Sequence, residues 1–459
     1  MTALDPSRRP EPGLAARLAG HWRALFALAW PVMLSRAGVV LMSTASVVMV
    51  GRYDTLALAS FSLGYAVFIP VMVAGIGCLV GVVSVTARGV GAGAADLPAV
   101  ALRGLWWAGF VGLVATLPVL FGAPLLRLIG QSPELAAGGG AVARMLAPGL
   151  FFQLLFVGAS FYLEGTARTK PGLVAMIWAN VLNIALNWLL IGGRWGAPEM
   201  GAEGAALAST LARAAMCLGL VVWMLRLPEF APHRGAARRL WGPGGWRAGA
   251  EMRRIGLAGG AAYFFETFAF ATLAQAAGLI GATALAAYTV LHNIEAVVFM
   301  IALGLSVATA VRVGQAVGRG EAHEARLIGL AGLTAAMGLI GVIGLLLLVL
   351  APEVAGLYSR DPALLARATP LFAILAVSMV FDAGQVILGQ STRAMGDGWG
   401  TTLAFFVAFW LVMVPVSLGL AFLTPLAEAG LFVGTGVGCA VAVALLGWRF
   451  LWLLRRVAV

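Results

Sequence analysis

Apolar runs of roughly 20 residues or more, separated by short polar segments, recur along the chain from Leu25 to Leu453. Each is long enough to cross a hydrocarbon core of about 30 Å. Lipid offers backbone groups no hydrogen bonds, so each run is predicted to be a helix. The pattern gives twelve spans, near residues 25–50, 56–87, 99–122, 138–165, 171–193, 202–226, 253–280, 284–311, 326–350, 364–392, 401–423 and 429–453. An even number of crossings puts both termini on one side.

The longest polar stretch, Leu227 to Ala250, carries His233, Arg234, Arg238, Arg239 and Arg247 among Pro and Gly, and divides the spans six and six. Local features recur across it at an offset of about 227 residues. Gly91 and Gly93 match Gly318 and Gly320, Pro133 matches Pro362, Arg168 matches Arg393, and Pro198 matches Pro425. An internal repeat with an even span count per half makes the halves parallel, related by an axis along the membrane normal. The predicted fold is therefore all-α and integral to the membrane, with twelve transmembrane helices in two six-helix bundles related by pseudo-two-fold symmetry. Its parts are a cytoplasmic tail (1–23), an N-lobe (24–226), a cytoplasmic linker (227–250) and a C-lobe (251–459). Pro31, Pro70, Pro118, Pro148 and Pro415 lie in or near spans, where they can kink helices.

Composition agrees with the pattern: 61% of residues are hydrophobic and 11% charged, against about 25% charged in soluble domains, and mean hydropathy is +0.96. A net charge of +11 would suggest nucleic acid as a partner for a soluble protein. Here the cations gather in alternate loops, at Arg8, Arg9, Arg17 and Arg23, in the central stretch, and at Arg449, Arg455 and Arg456, with few on the other side (Arg52, Arg127, Arg144, Arg194, Arg360, Arg367). That is the positive-inside pattern. It predicts cytoplasmic termini, a lipid bilayer as partner and no nucleic acid. Cys78, Cys217 and Cys439 lie inside apolar runs without paired spacing, so neither a disulfide framework nor a metal site is indicated. No signal peptide is apparent, and the first span is expected to remain in the mature protein.

Ionisable groups inside spans cost several kcal/mol at mid-bilayer unless they face protein or water. Glu266 lies 12 residues from Arg254, hence roughly 18 Å deep, and Asp382 lies 11 residues from a cytoplasmic Arg393, hence roughly 17 Å deep. Glu295 should sit nearer the outer face. These three spans are expected to hold no Lys or Arg that neutralises the acids, which suggests a water-lined cavity where a proton or cation takes the missing partner's place. Protonated, hydrogen-bonded acids are the plain alternative. His292 and Glu295, three apart, have a spacing that some metal sites use, with hydrogen bonding preferred. Phe264, Phe265, Phe268 and Phe270 are expected to surround Glu266 as an aromatic wall suited to an organic cation, or else to pack against core or lipid. Tyr288 and Asn293 are added as candidate substrate contacts. In the N-lobe, Asn180, Asn183 and Asn187 line one helix face, near Ser160, Glu164, Ser209 and Thr210. They can bind a cation or substrate, or bond helix to helix.

With these residues placed, the whole chain resembles the multidrug and toxic compound extrusion (MATE) transporters, in their NorM-like branch. The resemblance rests on Met49-Val50-Gly51, Thr169-Lys170-Pro171-Gly172, Asn183-Ile184-Ala185-Leu186-Asn187-Trp188, Gly196-Ala197-Pro198-Glu199, Phe264-Phe265-Glu266, Arg312-Val313-Gly314 and Asp382-Ala383-Gly384-Gln385. It implies two bundles around a V-shaped cavity and export of cationic or amphipathic compounds in exchange for Na⁺ or H⁺. Glu266 and Asp382 fall on the family's cation-coupling acids, where Na⁺ would bind, and Asn183 and Asn187 on its span-five polar positions. Ser46 stands where the family often carries Asp, which shifts expected coupling to the C-lobe, with Glu295 as an added site. No cofactor other than the coupling ion is expected. The expected setting is the bacterial cytoplasmic membrane, as a monomer. The second reading is a flippase for a lipid-linked precursor, for which Arg36 and Arg213 are the best support. A membrane-embedded enzyme would need paired acids such as Asp-Asp-x-x-Asp or a His-rich cluster, and the sequence has neither.

Overall fold

The computed structural model describes residues 14–233 and 243–457. Arg8, Arg9, Arg234, Arg238 and Arg239 lie outside the described residues. Within them, twelve helices are long and apolar enough to cross a membrane. They are α1 (Arg17–Gly51), α2 (Thr55–Gly91), α3 (Leu97–Leu120), α4 (Pro133–Gly165), α5 (Lys170–Leu190), α6 (Gly201–Leu225), α7 (Ala250–Ile280), α8 (Ala282–Gly318), α9 (Ala322–Val349), α10 (Pro362–Ala394), α11 (Trp399–Leu423) and α12 (Glu428–Val457). Helical backbone already begins at Leu14, inside the stretch read as a tail. Short helices at Pro228–His233 and Pro243–Ala248 occupy part of the stretch read as a linker.

The repeat positions are helix starts and turns. The Ser132 hydroxyl accepts from the Leu135 amide with Pro133 as first helical residue of α4, and the Asp361 carboxylate accepts from the Ala363 amide with Pro362 opening α10. Gly93 (φ 65°) and Gly320 (φ 75°) close the turns after α2 and α8 in the left-handed region that glycine tolerates. Two spans depart from regular helix. In α2 the pieces Thr55–Gly77 and Val80–Gly91 meet at Cys78, whose carbonyl accepts from Trp107 Nε1 at 2.8 Å. In α11 a wide π segment, Val407–Met413, comes just before Pro415, whose ring cannot donate a backbone hydrogen bond.

Each six-helix bundle has its own apolar core, around Phe61, Phe68, Leu146 and Phe156 in the first and Leu291, Phe372, Phe409 and Leu446 in the second. The bundles meet where α2 crosses α7 and α8, and where α1 crosses α8. Backbone touches backbone at these crossings. A Cβ on Gly77 would meet Gly259 and Gly260, one on Gly304 would meet Met33, one on Gly91 the Gln315 carbonyl, and one on Gly318 the Arg88 carbonyl. The repeat exchanges these contacts pairwise: Gly77 corresponds to Gly304, Arg88 to Gln315 and Gly91 to Gly318. The seam therefore straddles the pseudo-two-fold axis. At the end where α1 begins and α12 ends, Arg88 pairs with Glu251 at 2.8 Å, Gln315 Nε2 donates to the Gly165 carbonyl, and Arg312 reaches His21. That end is closed between the bundles.

Candidate ion-coupling and substrate site

Three helices of the second bundle, α7, α8 and α10, bring Glu266, Glu295 and Asp382 together. Asp382 and Glu295 are buried and Glu266 is partly so. Gln385 lies beside the acids: its Nε2 donates to Asp382 Oδ1 at 2.9 Å, and its side chain comes close to Glu266. The Cys439 thiol on α12 approaches Asp382 Oδ1 at 3.8 Å, and Asp382 lies within electrostatic range of both Glu295 and Glu266. Glu295 Oε2 is 3.4 Å from His292 Nδ1, while its Oε1 has no hydrogen-bond partner. The gap between Glu295 and Asp382, walled by Val298, Phe299, Met379 and Ala383, has no room for a water molecule, so the water-lined cavity expected at these acids is not found between them. Three carboxyl groups in so little water call for protons or a metal cation to offset their charge. Among the described residues no group of three or more His, Cys, Asp or Glu forms a metal-binding cluster.

The aromatic surroundings differ from expectation. At about 100° per residue, positions two away from Glu266 face the opposite side of α7. Phe264 and Phe268 accordingly stack on each other at 4.3 Å and are 47% and 45% exposed, away from the acids. Phe265 packs on Phe406, and its carbonyl accepts from Trp410 Nε1. Phe270, one turn beyond Glu266, does join the acid face. It stacks on His292 at 5.5 Å, His292 on Tyr288 at 5.7 Å, and Tyr288 meets Phe432 at 5.3 Å. Asn293 is exposed and accepts from the Tyr358 hydroxyl at 2.9 Å, off the acid face.

The cations differ from expectation. The spans drawn from the sequence already held Arg253, Arg254 and Arg367 at their ends, and the observed helices add Arg312 and Arg393. Arg393 is not an interfacial charge against which depth can be measured. It is 1% exposed, under the rings of Phe405 and Tyr263 at 5.2 and 5.5 Å, and within electrostatic range of Glu266. The signal was present in the sequence: no Gly or Pro intervenes between Asp382 and Arg393 except Gly384 and Gly389, both tolerable in a membrane helix, so α10 runs on past residue 392.

In the first bundle, Asn187 Nδ2 donates to Ser46 Oγ at 2.9 Å and to Asn183 Oδ1 at 3.0 Å, and Asn183 Nδ2 donates to Ser209 Oγ at 3.3 Å. These four side chains are buried to 0% exposure and bond one another across α1, α5 and α6. Asn180 instead holds the Gly38 carbonyl on α1, at 3.1 Å. Glu164 is not a free anion, because Arg36 pairs with it at 3.2 Å and Ser160 donates to it at 3.1 Å. Arg213 lies buried between the Tyr65 hydroxyl, at 3.3 Å, and the Phe68 ring, at 4.9 Å.

Two parallel bundles of six helices, meeting along one symmetric seam with acids gathered inside one of them, define a membrane transporter rather than an enzyme. The profile of the MatE family matches twice, over residues 31–189 and 260–418, once in each bundle. The probable multidrug resistance protein NorM of Caulobacter vibrioides is 36% identical over 453 residues, covering 98% of this chain and 94% of that protein. The multidrug resistance protein PmpM of Pseudomonas aeruginosa is 31% identical, covering 96% and 93%. Among solved structures, the eukaryotic MATE transporter AtDTX14 superposes with a TM-score of 0.84 at 19% identity, covering 96% of this chain and 99% of that one. The chain belongs to the MatE family of transporters.

Proposed function

We propose that the chain is a secondary antiporter of the bacterial cytoplasmic membrane, with both termini cytoplasmic, that exports cationic or amphipathic organic compounds in exchange for H⁺ or Na⁺. The observation that carries this reading is the cluster of Glu266, Asp382 and Glu295 around Gln385, with no guanidinium within ion-pair distance of Glu266 or Asp382 among the described residues. The names of the relatives in Caulobacter vibrioides and Pseudomonas aeruginosa point the same way. In this mechanism the coupling ion, H⁺ on the carboxyls or Na⁺ at Glu266 and Asp382, and the exported cation compete for one charge deficit. Phe270 and Tyr288 present aromatic surface on the acid side, suited to an apolar or cationic group. Occupancy by the ion displaces the compound and shifts the balance between the two access states, because only differential affinity for those states can move it. The flippase reading is not favoured: the relatives are named as multidrug resistance proteins, and of its two supporting arginines Arg36 is held by Glu164 while Arg213 is sealed between the Tyr65 hydroxyl and the Phe68 ring.

The test is dye efflux from cells and counterflow in reconstituted vesicles, under imposed proton or sodium gradients. Glu266→Gln and Asp382→Asn should each abolish gradient-driven efflux with the protein inserted at normal levels. Undiminished coupled efflux in both variants would remove this mechanism. Which gradient drives transport in the unaltered protein assigns the coupling ion.

A further inference from the structure

The end of the molecule opposite the chain termini is poor in Lys and Arg, as expected of a surface whose loops must be translocated. Two of the arginines kept there, Arg52 after α1 and Arg194 after α5, line one cavity of about 280 Å³ with Met49, Tyr53 and Trp188. The loop that brings Arg194 in has no counterpart in the second bundle: Gly192-Gly193-Arg194-Trp195-Gly196 lies between α5 and α6, whereas α11 and α12 are joined by the short segment 424–427 without Arg or Trp. It is held in a costly conformation. Gly193, Trp195 and Gly196 all have positive φ (60°, 56° and 83°), and a tryptophan in that region is strained. The strained turn leaves Trp195 90% exposed, edge-on to Trp188 at 5.3 Å, with the Arg194 guanidinium 4.5 Å over the Trp188 ring.

The charges of this cavity point to a ligand. No carboxylate lies within ion-pair distance of Arg52 or Arg194 among the described residues. The two acids nearby bond elsewhere, Glu199 to the Tyr53 hydroxyl at 2.8 Å and Asp54 to the Ala57 amide at 2.7 Å. The floor of the cavity is closed by Asn187, which is fully buried. Two guanidiniums suit a phosphodiester, and exposed indoles at the end of two spans suit the membrane interface. From this we propose that the α1–α2 and α5–α6 turns form a headgroup site for an anionic phospholipid in the leaflet opposite the chain termini. Arg52 and Arg194 take the phosphate, and Trp188 and Trp195 flank the glycerol backbone. Ordinary interfacial anchoring by Arg and Trp is the competing account, and the other face supplies its control: Arg456 over Trp452 at 3.7 Å has the same chemistry at the terminal end.

Native mass spectrometry of the purified full-length protein, titrated in detergent with phosphatidylglycerol or phosphatidylcholine, tests the site whichever way the protein sits in a membrane. The unaltered chain should retain phosphatidylglycerol in preference to phosphatidylcholine. Arg52→Gln with Arg194→Gln should weaken that retention about thirtyfold, the effect of removing two membrane-facing cations. Arg52→Lys with Arg194→Lys should keep most of it, and Arg456→Gln should leave it unchanged. The proposal is overturned if the double Gln variant keeps the preference, or if Arg456→Gln loses as much. It is overturned equally if glycerol phosphate without acyl chains competes at the same concentrations as the lipid, which would make this a site for a soluble phosphate.

Discussion

Gln385 carries more of the site than its neutral side chain suggests, because its amide holds Asp382 and lies close to Glu266. Its replacement by Leu keeps the volume and removes the amide that fixes the Asp382 carboxyl. Gradient-driven dye efflux by Gln385→Leu is expected to fall nearly as far as in Glu266→Gln, at equal membrane abundance; near-normal efflux would show the Gln385–Asp382 bond to be incidental. Arg36 and Glu164 make the opposite case, a buried pair whose charges cancel. Arg36→Gln strands the carboxylate and should cost about 3–5 kcal/mol, whereas Arg36→Met combined with Glu164→Leu should recover most of it. Thermal unfolding in detergent separates the two outcomes. At this scale the sequence displayed which residues were out of place in lipid. It did not display their partners, since Arg36 and Glu164 stand 128 residues apart.

Among the elements, α7 shows how far periodicity reaches. The run of Phe around Glu266 reads as a wall until about 100° per residue is applied, after which only Phe270 shares the Glu266 side, Phe265 lies about a quarter turn away on Phe406, and Phe264 and Phe268 turn away. That part was available from the sequence. The crossings of α2 with α8 were not, although their glycines had been matched as a repeat. Gly91 and Gly318 allow each helix to lay its backbone on the other's carbonyl, and a side chain at either place cannot be accommodated without parting the helices. Gly91→Val with Gly318→Val is expected to open the end bearing the termini while the bundles stay folded. Hydrogen exchange would then rise at 88–92 and 315–318 and remain low in the bundle cores; unchanged protection at the crossing would show that the seam does not depend on close approach.

For the whole molecule, two halves of one design have diverged in charge. The second bundle holds Glu266, Asp382 and Glu295, with Arg393 in range of Glu266. The first holds a cancelled pair, an Arg213 bonded to a hydroxyl, and a neutral knot of Ser46, Asn183, Asn187 and Ser209. The knot's amides and hydroxyls are largely spent on each other, so its expected work is to tie α1, α5 and α6 together. Asn183→Ala should lower the unfolding temperature and leave gradient-driven efflux in place, in contrast to the C-lobe acids; loss of coupling at unchanged stability would put a second ion site in the first bundle. The twelve spans, their division six and six, the repeat and the intruding acids were all determined by the sequence alone, because lipid forces each crossing into a local, helical, apolar segment and makes any charge within it conspicuous. Only the tertiary structure decided that Glu164 is neutralised by Arg36, that Arg393 lies buried in range of Glu266, that Gln385 bonds Asp382 close to Glu266, and that the α5–α6 turn shares a cavity with Arg52. Those are contacts between helices remote in the chain, and no local pattern of hydrophobic and polar residues encodes which faces meet.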